Sequence, residues 1–323
     1  MTSLDEQLDA YLSDAHAIEE QALPQMRAAP NLAGDPQLAA AFREHLAETE
    51  RHERLTRQRL EARGGSPSRL KEAVFKAGGF AFVLFAKSQP DTPGKLVSHA
   101  LSYEHLELAG YELLMRVAER AGDAETAEAA RTIGEEERAM AQRLEDSLDR
   151  AVDTSLREVD PGDLGEQLNK YLADAHAIEA QAIALLERGP KLAGDPELAR
   201  IYEQHLEETR EHKRLGTERL EARGGSPSRL KDAAMRLGGL NWGAFFGAQP
   251  DTPAKLAAFA HAFEFLEVGG YEQLKRVARR AGDGETERMA EHILAQERAM
   301  ADRLADVFDR ALDASLAAKG AHA

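Results

Sequence analysis

The chain repeats itself at a constant spacing, and this repeat limits the folds available to it. The string Asp14–Glu19 recurs as Asp174–Glu179, an offset of 160 residues that holds without a gap through both copies. Solenoid repeats are about 20 to 50 residues long, whereas each copy here has the size of a whole domain. The sequence therefore predicts one fold built twice, over residues 1–157 and 164–323, with a linker over residues 158–163.

The composition excludes several classes of function. Acidic residues outnumber basic ones by 57 to 41, and a net charge of −16 argues against nucleic acid as a partner. The chain has no cysteine, so disulfides, thiolate metal sites and cysteine nucleophiles are excluded. Any metal must be held by oxygen and imidazole nitrogen.

The ends and the apolar runs of the sequence suggest where the protein acts. Met1–Glu6 is acidic and lacks the basic and apolar regions of a secretory signal, so we expect a cytoplasmic protein. The longest apolar run, Ala77–Ala86, is about half of the roughly 20 residues that cross a bilayer as a helix. No membrane partner is therefore expected.

Proline, glycine and capping residues divide each copy into four predicted helices. Aspartate or threonine followed by proline is typical of a helix start, and glycine is typical of a helix end. In the first copy the predicted helices run from Leu4 to Ala29, from Asp35-Pro36 to Gly64-Gly65, from Thr92-Pro93 to Gly122, and from Asp123 to about Leu156.

The connection between the second and third helices is unusually long. Residues 64–91, and their counterparts 224–251, are rich in glycine and phenylalanine and could travel the length of a bundle. Such a crossover allows the second and third helices to run parallel. Its aromatic residues are interpreted as packing beneath the crossover; they are Phe80, Phe82, Phe85 and Trp242.

Acidic and imidazole side chains interrupt the apolar face of all four predicted helices. Residues spaced by three and four positions face the core of a bundle. On the first copy those faces carry Glu19, then His45, Glu48 and His52, then Glu104 and Glu107, and finally Glu137. The second copy carries Glu179, His205, Glu208, His212, Glu264, Glu267 and Glu297 at the same places.

Acids outside these faces change between the copies. Glu20, Glu135 and Glu136 are interpreted as exposed, and become Ala180, Ala295 and Gln296. The acids on the predicted core faces do not change. This contrast indicates a shared role for the core acids.

Five buried carboxylates in one bundle are too costly unless cations compensate them. Two divalent cations supply four positive charges, and a site of carboxylates and imidazole without thiolate suits iron or manganese. We therefore predict two dinuclear iron or manganese centres, one per repeat. The alternative is an interface in which these residues pair with arginines of a partner.

Some residues near these faces have a simpler interpretation. Four histidines are predicted to act as capping residues or to hydrogen-bond to a metal ligand, more readily than to bind metal directly. They are His16, His45, His176 and His205. Tyr111 and Tyr271 are interpreted as core aromatics, with a redox role as the alternative.

The strings carrying these residues resemble the ferritin-like superfamily, and most closely the YciE/YciF family of bacterial stress-associated ferritin-like proteins. The resemblance lies in Ala17–Glu19, His45–Thr49, Glu104–Tyr111 and Glu135–Ala139. It implies an all-α chain of two tandem ferritin-like four-helix bundles. It also implies redox work on oxygen or hydrogen peroxide.

This sequence departs from the superfamily pattern in two places. The Glu-x-x-His of helix two appears as Glu48-x-x-x-His52 or, reversed, as His45-x-x-Glu48. Glu137 is followed three residues later by Met140, so the Glu-x-x-His of helix four is absent. One metal position would then be open to oxygen or peroxide, or the site would bind its metal more weakly.

The leading hypothesis is a ferroxidase-like or peroxidase-like stress protein. Glu48 and Glu137 would bridge the metals, Glu19 and Glu104 would be terminal ligands, Glu107 a second ligand and His52 the nitrogen donor. A manganese-catalase-like peroxide dismutase and a non-catalytic helical interaction protein are the alternatives. A homo-oligomer is also possible for such a fold.

Overall fold

The computed structural model describes residues 3–66, 92–227 and 252–321. The chain divides into two compact units. The first contains Met1–Arg157 and Gly320–Ala323, and the second contains Glu158–Lys319. In the described residues every regular element is a helix, which confirms the predicted all-α fold of duplicated bundles. None of these helices combines the length and apolar character needed to cross a membrane.

The two units repeat the same order of long helices. The first unit contains α1 (Leu4–Leu32), α2 (Pro36–Ala62), α3 (Thr92–Ala121), α4 (Ala124–Asp146) and α5 (Leu148–Ser155). A short 3-10 turn at Pro161–Asp163 precedes the second unit. That unit contains α6 (Leu164–Leu186), α7 (Gly189–Leu192), α8 (Pro196–Ala222), α9 (Thr252–Arg280), α10 (Gly284–Asp306) and α11 (Phe308–Lys319).

Side-chain caps fix the starts of these helices. Asp35 accepts hydrogen bonds from the amides of Gln37 and Leu38, and Pro36 follows it at the start of α2. Asp123 caps α4 by accepting from the Thr126 amide. These carboxylates satisfy amides that have no partner inside the helix. The predicted starts of both helices are confirmed.

The first helix continues beyond its predicted end. We expected α1 to stop before Pro30, but it includes both Pro24 and Pro30 and ends at Leu32. Proline removes one backbone donor, yet its fixed φ angle is compatible with a helix. Helical hydrogen bonding resumes after Pro30, because the Ala33 amide donates to the Ala29 carbonyl at 2.9 Å.

The predicted fourth helix is two helices in the structure. Ser147 separates α4 from α5, and its hydroxyl donates to the Leu144 carbonyl at 2.8 Å. Val307 separates α10 from α11 at the equivalent position, although valine has no hydroxyl to make such a bond. A serine hydroxyl that bonds to the backbone competes with continued helical pairing. Neither break involves the glycine or proline on which the predicted boundaries depended.

Contacts between helices show their directions. Helix α2 runs antiparallel to α1, because Arg27 contacts Glu50 whereas Arg63 contacts Asp9. It also runs antiparallel to α4, because Arg59 contacts Asp123 and Arg143 contacts Glu44. Helix α4 runs antiparallel to α3, because Arg131 contacts Glu119 and Gly134 lies beside Tyr111. Helices α2 and α3 are therefore parallel, as predicted. The crossover, including Phe80, Phe82, Phe85 and Trp242, lies mostly outside the described residues.

An arginine cluster joins three helix ends at one end of the first bundle. Arg59, in the last turn of α2, and Arg63, directly after that helix, both contact the capping carboxylate of Asp123. Arg63 also contacts Asp9 of α1 at 2.5 Å. Arg219, Arg223 and Asp283 repeat this cluster in the second bundle. These ion pairs hold the helix ends of each bundle together.

Candidate metal centre

The acids predicted on the core faces are buried in the middle of each bundle. Glu19, Glu104 and Glu137 are 0% exposed and Glu107 is 2% exposed. His45 and His52 of α2 are each 1% exposed. All four long helices therefore deliver polar ligand atoms to one dry region, an arrangement that burial alone would make unfavourable.

The first group of ligand atoms comes from three helices. His45 of α2, Glu104 and Glu107 of α3, and Glu137 of α4 place one potential ligand atom each within 4.8 Å of one another. His45 Nε2 lies 3.1 Å from Glu104 Oε2 and 3.5 Å from Glu137 Oε2. The imidazole thus points its Nε2 atom into the group.

The second group shares a carboxylate with the first. Glu19 of α1, His52 of α2 and Glu137 form a set within the same 4.8 Å limit. His52 Nδ1 lies 2.7 Å from Glu137 Oε1 and 3.8 Å from Glu19 Oε1. The two groups are therefore joined through one carboxylate, that of Glu137.

The second bundle reproduces both groups. One contains His205, Glu264, Glu267 and Glu297, and the other contains Glu179, His212 and Glu297. His205 Nε2 lies 2.9 Å from Glu264 Oε1, and His212 Nδ1 lies 2.8 Å from Glu297 Oε1. Glu297 is the shared carboxylate here.

The hydrogen bonding of these carboxylates fits a bound cation. Among the described residues, both side-chain oxygens of Glu104 and Glu137, and one each of Glu19 and Glu107, are buried without a well-directed hydrogen bond, although His45 Nε2 and His52 Nδ1 lie 3.1 Å and 2.7 Å from two of them. Buried polar atoms are normally paired. A cation within the two groups would satisfy these oxygens together.

The number and charge of the donors also fit two divalent ions. Each bundle offers four carboxylates and two imidazoles, the same total that di-iron and di-manganese bundles use. Four carboxylates balance the charge of two divalent cations. The distribution differs, because both imidazoles come from α2 and both acids of the Glu-x-x-Glu come from α3.

Without a cation, burial disturbs the protonation of the site. Burial, reinforced by Glu137, raises the pKa of Glu19 to about 8. Burial also raises the pKa of Glu137 itself to about 7, and that of Glu107 well above its usual value. Burial would lower the pKa of His52, but Glu137 and Glu19 raise it to about 9. The metal-free site therefore holds protons that a cation would displace.

Two predicted roles in helix two differ from the observed positions. Glu48, predicted to bridge the metals, lies outside both groups with its side chain 24% exposed. It contacts His45 Nδ1 at 3.0 Å instead. His45, predicted to support a ligand from behind, lies inside the first group. Glu208 and His205 repeat this arrangement, with 3.9 Å between Glu208 Oε2 and His205 Nδ1.

The buried face of α2 is rotated about the helix axis relative to the predicted one, and this rotation explains why His45 and Glu48 differ from their predicted roles. A face that carries His45, Glu48 and His52 would also carry Ala41 and Leu55. The buried positions are instead Phe42, Thr49 and Thr56. The Thr49 hydroxyl donates to the His45 carbonyl, and the Thr56 hydroxyl to the His52 carbonyl, each at 3.0 Å. Threonines satisfied in this way can face a core. Residue spacing alone does not distinguish these two faces of α2.

His16 belongs to a separate group with Glu20 and Glu53. All three are buried, so Glu20 is not the exposed acid that the sequence suggested. Arg57 lies against both carboxylates and already supplies a positive charge. The acids are missing from the second copy around His176, where Ala180 and Lys213 occupy their positions.

Three residues beside the two sites gain roles that sequence reasoning missed. The Tyr111 hydroxyl donates to Glu19 Oε1, and Tyr271 donates to Glu179 Oε1 at 2.6 Å. The tyrosines thereby hold one oxygen of each glutamate and leave the other without a partner. Glu136, interpreted as an exposed acid, contacts His52 Nε2 at 2.5 Å.

Fold and site together define a duplicated helical-bundle protein with buried histidine and glutamate groups able to hold metal ions. The family model described as "Domain of unknown function (DUF892)" matches residues 3–157 and, a second time, residues 163–317. The chain therefore belongs to this family and contains two copies of its domain. No solved structure matches the chain.

Proposed function

We propose that each bundle is ferritin-like and binds a dinuclear iron or manganese centre, and that the protein carries out redox chemistry on oxygen or hydrogen peroxide. The observation that carries this proposal is the pair of ligand groups joined by one shared carboxylate, Glu137 or Glu297. The likeness of helices two and three to the YciE/YciF family supports it.

The proposed ligands are the members of these groups. In the first bundle they are Glu19, His45, His52, Glu104, Glu107 and Glu137. Bound iron or manganese would supply electron transfer to oxygen or peroxide, which the side chains alone cannot perform. Tyr111 would orient Glu19, and Glu48 and Glu136 would orient the two imidazoles.

Burial of the site favours a small substrate. The six proposed ligands of the first bundle are at most 2% exposed, so a large organic molecule would not reach them without a rearrangement. Oxygen and hydrogen peroxide are small enough to enter a packed helical core. The same burial argues against the interaction-protein alternative, because a partner's arginine could not contact these acids.

The test compares wild-type protein with E104Q/E264Q, which keeps the shape of the side chains and removes one charge from each bundle. E135Q/E203Q, which neutralises two exposed acids, is the matched control. Metal-free protein is loaded anaerobically with Fe²⁺, desalted, assayed for bound iron and then mixed with oxygen or peroxide. We expect wild type and control to bind and oxidise iron and E104Q/E264Q to lose most of both.

Equal binding and oxidation by all three proteins would contradict the proposal. Samples loaded with Mn²⁺ separate the enzymatic alternatives. Oxygen release from peroxide without an added reductant would identify a manganese-catalase-like dismutase in place of a ferroxidase or peroxidase.

A further inference from the structure

The two bundles differ at the outer nitrogen of one histidine. In both, Nδ1 faces the shared glutamate, at 2.7 Å from Glu137 Oε1 and 2.8 Å from Glu297 Oε1. The opposite nitrogen of His52 lies 2.5 Å from the carboxylate of Glu136, whereas that of His212 lies 3.0 Å from the amide oxygen of Gln296. The Nδ1 contacts of the two histidines therefore match, whereas their Nε2 contacts differ.

Both outer partners select the same form of the imidazole. A carboxylate and an amide oxygen each accept a hydrogen bond from Nε2–H, which leaves the Nδ1 lone pair available for a cation. The carboxylate carries a full negative charge, so it makes the ring a stronger donor to a metal ion than the amide does. Changes in such outer partners typically alter metal affinity by about 10- to 100-fold.

The surroundings reinforce this difference. Arg51 lies 2.5 Å from Glu136 and fixes its carboxylate beside His52. The position of Arg51 is occupied in the second copy by Glu211, which pairs with Arg214 instead.

The other imidazole differs in the same direction. Glu48 Oε2 lies 3.0 Å from His45 Nδ1, whereas Glu208 Oε2 lies 3.9 Å from His205 Nδ1. In the first bundle, the outer nitrogen of each imidazole therefore lies closer to its polar partner than the corresponding nitrogen does in the second bundle.

We infer that the two dinuclear centres are inequivalent, and that Glu136 makes the first bundle the tighter metal site while Gln296 leaves the second weaker. This inference rests on the proposed function, because it assumes a metal centre in each bundle. The first bundle fills at lower metal concentration, and the second exchanges its metal more readily. Glu136 acts as a positioning residue through His52 and does not itself bind the metal.

The test is a titration of the metal-free full chain with Mn²⁺, monitored by calorimetry. The proteins are wild type, E136Q, Q296E and, as a control for an exposed acid of α4, E135Q. Wild type and E135Q should show two classes of sites whose affinities differ by about 10-fold or more. E136Q should lose the tight class, and Q296E should convert the weak class into a second tight one.

The gain of affinity in Q296E separates this account from a general loss of structure. If wild type shows a single class of sites whose affinity is unchanged in E136Q and Q296E, the inequivalence is overturned. The proposal of a metal centre in each bundle is then unaffected. The absence of Mn²⁺ binding in every protein, with no Fe²⁺ bound anaerobically either, would overturn the inference and the proposed function together.

Discussion

At the scale of single residues, the shared carboxylate has the greatest consequence. The oxygens of Glu137 take part in both groups of the first bundle, so E137Q should empty both positions there and leave the second bundle loaded. Bound metal should fall from about four ions per chain to about two, as expected for one remaining dinuclear bundle. Elemental analysis of E137Q beside E135Q measures this. An E137Q protein that keeps all its metal would show that Glu137 is not a ligand.

Protonation of the buried residues gives a second prediction. The pKa values of Glu19, Glu137 and His52 lie above their ordinary values of 4.5 and 6.5, at about 8, 7 and 9. A raised pKa contributes stability below the ordinary value, and this is lost as pH rises through the folded value. The free energy of unfolding of metal-free protein should therefore fall between pH 5 and 9 by at least about 1 kcal/mol, roughly the worth of one pKa unit.

Urea unfolding of metal-free protein at a series of pH values checks this direction. Bound metal should reverse it, because binding displaces protons and strengthens as pH rises. A metal-free protein that becomes more stable from pH 5 to 9 would be inconsistent with protonated glutamates in the core.

The four glutamates common to prediction and structure could be recognised because apolar residues flank them on the core faces of α1, α3 and α4. Leu12, Ala15 and Ala22 frame Glu19, and all are buried. On α2 the sequence does not single out one core face, because threonines and alanines at different positions could equally face the core. The exchange between His45 and Glu48 follows from that ambiguity, and Glu136 could be recognised only through its contact with His52.

At the scale of elements, the turn between α1 and α2 is constrained by its neighbours. Gly34 has a φ of +67°, and a Cβ there would lie 2.9 Å from Thr154 Cγ2 and 3.1 Å from Pro93 Cγ. Gly122 has a φ of +74° with nothing within 4 Å of its Cβ position. G122A should cost about 1 to 2 kcal/mol for backbone strain alone, and G34A about 1 to 3 kcal/mol more.

Denaturant midpoints of G34A and G122A measure this difference. Equal losses would mean that the contacts of Gly34 with α3 and α5 adjust freely. The helix boundaries themselves were predictable wherever an aspartate cap or a glycine marks them. The break at Ser147 recurs at Val307, and neither serine nor valine is a residue type that signals the end of a helix.

At the scale of the whole molecule, the duplication supplies its own comparison. Residues that coincide in position and surroundings, such as Tyr111 with Tyr271, define what each bundle requires. Residues that differ, such as Glu136 and Gln296, define what each bundle can vary. The repeat spacing predicted two bundles from sequence alone, but only the packing of the four long helices shows which atoms meet in the middle.

The most direct test of the account is the metal content of protein expressed with both iron and manganese supplied and purified without chelator. We predict about four iron or manganese ions per chain, two for each bundle, as in dinuclear carboxylate bundles. Less than about one ion per chain, unchanged after anaerobic addition of Fe²⁺, would contradict the central claim that the buried histidines and glutamates form dinuclear centres.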